Sequence, residues 1–82
     1  MDYDKDKVDD LVLALLYLTT SRNEYGVRAW KGLDWETLAR LYQKGYISDP
    51  QDKKPTVELS EEGAQRSEQL FFDYFGVEIE DE

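Results

Sequence analysis

The chain contains no cysteine and no histidine. Disulfide staples, thiolate or imidazole zinc sites, thiol nucleophiles and histidine acid–base pairs are excluded at the outset. Long hydrophobic runs are missing too. The apolar stretch Leu11–Leu18 has eight residues, where a membrane-spanning helix needs about 20. The opening residues carry Asp2, Asp4, Asp6, Asp9 and Asp10, the reverse of the basic start of a signal peptide. The expectation is a cytoplasmic protein with no membrane contact. Positive charge is scarce: ten Lys and Arg stand against nineteen Asp and Glu, for a net charge of −9.

What is present is one small domain of 82 residues. A chain of this length hides only about 60–65% of its unfolded surface, so its core must be aromatic-rich or completed by a partner. Two Trp, six Tyr and three Phe answer that need. The charge is unevenly spread, at −3 over residues 1–21, +2 over 22–54 and −8 over 55–82. Such a field opposes approach to nucleic acid or anionic lipid, and only the middle segment offers a polyanion a place to dock.

Apolar spacing predicts a first helix from Asp4 or Asp6 to Thr20, with Val8, Leu11, Val12, Leu15, Leu16 and Leu18 in one sector and Leu13 and Tyr17 on the other side. A helix apolar nearly all round is either central to the domain or shared with a second chain. Ser21–Gly32 reads as a connection, with a helical turn or short strand over Val27–Lys31. A second helix starts at Asp34, stapled by Leu33 onto Leu38, buries Trp35, Leu38, Leu41 and Tyr42, and stops at Gly45. Tyr46–Ser48 and Thr56–Leu59 read as two strands of a wing around a polar tip at Asp49–Lys54. Ser60 caps a third helix carrying Ala64, Phe71, Tyr74 and Phe75, which Gly76 ends. The chain is thus one domain over residues 1–76 with an acidic tail over 77–82. Its expected class is α+β and winged-helix-like, ordered helix–helix–β-hairpin–helix.

The motif KGYI…VELSEEG, at Lys44–Ile47 and Val57–Gly63, resembles the wing of MarR-like and PadR-like winged-helix regulators. That resemblance implies a DNA-reading helix at 34–44 with a wing at 46–59. Over nearly the full length, Val12–Thr19, Arg28–Trp35, Lys44–Pro50 and Ser60–Gly63 resemble a small bacterial family of unknown function. This second resemblance implies a fold and no activity. A helix-turn-helix also needs a positioning helix joined by a short turn, and Glu24–Gly32, with two glycines, has room for one or two turns.

Two sets of residues carry the functional expectations. A protein-interaction or adaptor module, homodimeric through the first and third helices, would use Leu13, Tyr17 and Phe72, with Trp30 in the aromatic connection. A DNA-binding regulator would instead use Arg40 and Lys44 on the groove helix, Lys53 and Lys54 on the wing, and Arg28 and Lys31 on phosphates. Glu36 on the same helix repels phosphate, so the first reading leads. Asp2, Asp4 and Asp6 lack the twelve-residue loop of a calcium site. No nucleophile has an activating partner pattern. The expectation is no enzyme, no metal, no cofactor and no small-molecule ligand.

Overall fold

The computed structural model describes residues 2–24, 26–32, 34–51 and 53–77. The staple from Leu33 and the tail beyond Val77 lie outside them. Helix α1 (Lys5–Leu16) begins where the Asp4 carboxylate accepts the Lys7 N–H at 3.1 Å. It tightens into a 3-10 turn, Tyr17–Thr19, whose end is held by Thr20 Oγ1 donating to the Tyr17 carbonyl at 2.7 Å. Its inward face is Asp9, Leu13, Ala14 and Leu16. The expected sector was therefore rotated: Leu13 is fully buried, while Leu15 and Leu18 are 41% and 66% exposed. Apolar residues on several sides leave a wheel without a unique inward direction, and the packing of the third helix supplies one.

The segment read as a connection is a β-hairpin. Strand β1 (Ser21–Asn23) pairs antiparallel with β2 (Gly26–Trp30), and the chain reverses between Asn23 and Gly26. Gly26 has φ +134°, a conformation side-chain-bearing residues rarely adopt. Strand β3 (Thr56–Leu59) completes a sheet in the order β1-β2-β3. Val27 faces Leu59 and Ala29 faces Val57 across the ladder, and all four are buried. The alternate residues Arg28, Trp30 and Glu58 point outward. Tyr46–Ser48, expected as a full wing strand, reaches β3 through one bridge, Ile47 to Leu59, with Ser48 N–H donating to the Glu58 carbonyl at 2.7 Å.

Helix α2 (Trp35–Gln43) starts at Asp34, whose carboxylate accepts the Thr37 N–H at 3.1 Å. It ends in paired turn bonds, Tyr46 N–H to Leu41 O and Gly45 N–H to Tyr42 O, with Gly45 at φ +84°. Leu38 and Leu41 are core, as their spacing implied. Trp35 and Tyr42, expected beside them, are 57% and 47% exposed. The reason is that α2 lays the Thr37/Arg40/Lys44 side onto α1 and turns its aromatic edge outward.

Helix α3 (Glu61–Phe75) is capped by Ser60, whose Oγ accepts the Gly63 N–H at 2.9 Å and donates to the Gly45 carbonyl at 2.7 Å. It runs parallel to α1, with Arg66 beside Asp10, Ser67 bonded to the Leu13 carbonyl and Phe71 against Tyr17. Small Ala14 and Ser67 let these helices approach closely. Among the described residues the architecture is α+β, with three α-helices and a three-stranded antiparallel sheet, compatible with a winged-helix-like arrangement. A hairpin stands where a helix-turn-helix has its positioning helix.

Gly63 sits against the Tyr46 backbone, where a Cβ would collide with its carbonyl. Gly63→Ala is expected to destabilise the domain by about 1–3 kcal/mol, the usual cost of overpacking. Urea unfolding followed by circular dichroism reads this directly; a midpoint equal to the parent's would mean that the α3 start yields freely.

Candidate interaction surface

The polar centre of the molecule is a carboxylate carried on the buried face of α1. Asp9 is wholly inaccessible, and its two oxygens receive Arg40 Nε and Lys44 Nζ, each at 2.8 Å. Arg40 and Lys44 are four residues apart on α2, so one face of that helix offers both cations together. Around this pair Arg40 Nη2 donates to Thr37 Oγ1 at 3.2 Å, and Thr37 Oγ1 donates to Asp34 at 2.9 Å. Lys44 also reaches Asp6 at 3.0 Å. A buried carboxylate is tolerated only when paired and hydrogen-bonded, and here both oxygens are matched. The Thr37 hydroxyl, then the Thr37 N–H, hold the Asp34 carboxyl below its ordinary range. Burial works to lower Arg40, but the Asp9 hydrogen bond and charge more than reverse it. The Asp9 hydrogen bond likewise raises Lys44 against the opposing effect of burial, with Asp6 adding to the rise.

The second feature is apolar. Because α1 and α3 run parallel, their C-terminal ends converge and gather aromatic rings. Tyr17 lies 5.1 Å from Phe71 and 5.6 Å from Phe72, centroid to centroid, and Phe71 lies 5.3 Å from Phe75. These are the spacings and tilts at which aromatic pairs attract. Yet Phe72, Tyr74 and Phe75 each keep about half their surface in water. A ring cluster both self-contacting and wet is an exposed apolar patch of the sort that marks interaction sites.

The expected interaction residues divide accordingly. Tyr17 and Phe72 come together in this cluster. Leu13 lies in the core and cannot meet a partner, which corrects its assignment to an open face. Trp30 is 55% exposed on the outward side of β2, its indole covering Gly32, and joins no ring of the cluster. The nucleic-acid set is scattered. Arg40 and Lys44 are committed to Asp9, so the expected cationic helix face does not exist. Arg28 stands opposite Glu58 in the ladder, and Lys31 Nζ donates to the Pro50 carbonyl at 3.0 Å. Lys53 and Lys54 lie on the exposed tip. Sequence reasoning missed Asp9, although its spacing of four and seven from Leu13 and Leu16 places it on their face.

Comparison with known proteins agrees with the second resemblance. The family model described as "Domain of unknown function (DUF6429)" matches residues 4–77, and the chain belongs to that family. It is also similar to "Uncharacterized protein y4hR" of Sinorhizobium fredii, 49% identical over 71 residues that cover 87% of this chain and 92% of the relative. No solved structure matches. Among the described residues, no helix is long and apolar enough to cross a membrane.

Removing the central charge should be costly. Asp9→Asn leaves two cations without their shared partner, and the expected loss is about 2–4 kcal/mol, reduced from the fully buried case because Lys44 keeps some water. A chemical-denaturation midpoint unchanged from the parent would refute this. Alkaline titration tests the same pair. Lys44 is raised in the folded state, so its stabilisation is complete below the ordinary lysine value of 10.5 and disappears as pH climbs through the folded value. Melting temperature should therefore fall more steeply above that pH in the parent than in Lys44→Met.

Proposed function

We propose that the domain is a cytoplasmic protein-interaction module, without enzymatic activity, that pairs with a second copy through the aromatic ends of α1 and α3. The observation that carries this reading is the half-exposed set Phe72, Tyr74 and Phe75, continuous through ring contacts with the partly buried Tyr17 and Phe71. A domain this small has little interior of its own, and closing two such patches on each other extends the core across a twofold axis. Aromatic residues are also those that dominate interface energetics.

The nucleic-acid alternative is weakened by the same geometry. Its two groove-helix cations neutralise a buried aspartate, Arg28 faces Glu58, and the chain carries −9 overall. Polyanion binding draws its affinity from cations free to displace counterions from phosphate.

Sedimentation equilibrium of the parent and Phe72→Glu provides the test. The parent is expected to dimerise with concentration, and the variant to weaken association by about tenfold or more, as loss of an interface anchor does. A parent that stays monomeric to millimolar concentration ends the homodimer reading. Anisotropy with a random DNA duplex at about 50 mM salt, where even non-specific readers bind at micromolar levels, should give no binding.

A further inference from the structure

A second surface, separate from the α1–α3 cluster, lies on the outer edge of α2. Trp35, Ala39 and Tyr42 are spaced by four and three residues, so they form one line along the helix. Two large rings thus flank a small residue, leaving a notch between them, with the rings about 10 Å apart along the helix axis. Pro50 forms the opposite wall. It is buried, and Lys31 Nζ holds its carbonyl at 3.0 Å. The resulting groove encloses about 470 Å³, within the size range of ligand sites.

Its charge is one-sided. Among the described residues that line it, Glu36 and Asp49 are charged and none is Lys or Arg. Glu36 forms loose ion pairs with Arg40 at 3.6 Å and Lys5 at 3.8 Å and stays 63% exposed, so its carboxylate can still receive a further donor from solvent. Asp49 uses Oδ1 to accept the Gln51 N–H at 2.9 Å. The groove therefore joins an apolar slot, two aromatic side chains and carboxylates in its lining. That combination fits a long apolar stem ending in a cation. Arginine suits it better than lysine, because its planar head stacks on rings and is less strongly hydrated.

We infer that this groove receives an arginine side chain from an extended basic segment of a partner protein. The stem crosses Ala39 and Pro50 between the Trp35 and Tyr42 rings, and the guanidinium meets Glu36 and Asp49 at the rim as its counter-charges. Self-association through α1 and α3 neither requires nor blocks this contact, since the two surfaces share no residue.

The experiment is a calorimetric titration of the whole chain with a blocked peptide of alternating arginine and proline, at about 150 mM salt so that long-range attraction is screened. A matched peptide with citrulline for arginine keeps the shape and removes the charge. The arginine peptide should bind about fivefold or more tightly than its citrulline twin. Ala39→Leu fills the notch without changing charge at an exposed helical position, and should weaken binding about fivefold. Asp49→Asn should weaken it in the same direction, and Phe72→Glu should not alter it. Circular dichroism confirms that each variant is folded. Equal binding by parent and Ala39→Leu would overturn the inference, because the net negative field alone would then account for the affinity. Absence of binding by the parent, or equal affinity for both peptides, would overturn it as well.

Discussion

Asp9 lies in the interior with one oxygen on Arg40 and the other on Lys44, and the placement of α2 follows from keeping these three together. Rolling α2 about its axis would strand a charge in the core, which costs more than exposing a ring. Trp35 and Tyr42 therefore remain in water while Thr37, Arg40 and Lys44 take the inward side. Such ion pairs add less net stability than an apolar core of equal volume, but they discriminate strongly against other packings. Trp35, Leu38, Leu41 and Tyr42 form one broad apolar face, and the charge match rolls it so that Leu38 and Leu41 are buried and the two rings are not.

The pairing also governs what the surface has to offer. A count of cations over residues 22–54 suggests a basic region. In the fold, two of those cations serve the interior, Arg28 is set across from Glu58, and Lys31 fixes the Pro50 wall. Among the described residues, what reaches solvent includes two apolar patches of different character: one of aromatic rings at the helix ends, the other an aromatic notch with carboxylates in its lining.

Local signals were legible where a residue's own chemistry dictates the backbone. Asp34 and Ser60 cap the helices their side-chain oxygens imply, and Gly45 takes the left-handed position that ends α2. The α+β class and the helix bounds come from such signals. Orientation was harder to read. The spacing sets Leu13 outward and Leu15 inward because α1 has apolar residues on most sides, and Asp9 with the α3 contact fixes its roll. Strand β1 has the sequence Ser-Arg-Asn, all exposed, with no alternation to reveal it. Of the candidate site, the pair Tyr17 and Phe72 was anticipated; the groove was not, since Trp35 and Tyr42 look like core until the ion pairs claim the other side.

The hairpin at Ser21–Trp30 has an engineering consequence. The strands turn back between Asn23 and Gly26, beside an edge strand with no buried residue, and the hairpin's described residues line neither the α2 groove nor the ring contacts of Tyr17 and Phe72. Lengthening such a bend costs only loop-closure entropy, which rises by about 0.6 kcal/mol for each doubling of loop length. A fluorophore tag or an affinity epitope spliced in there would be carried at the periphery, leaving the helical layer and its contacts as they are.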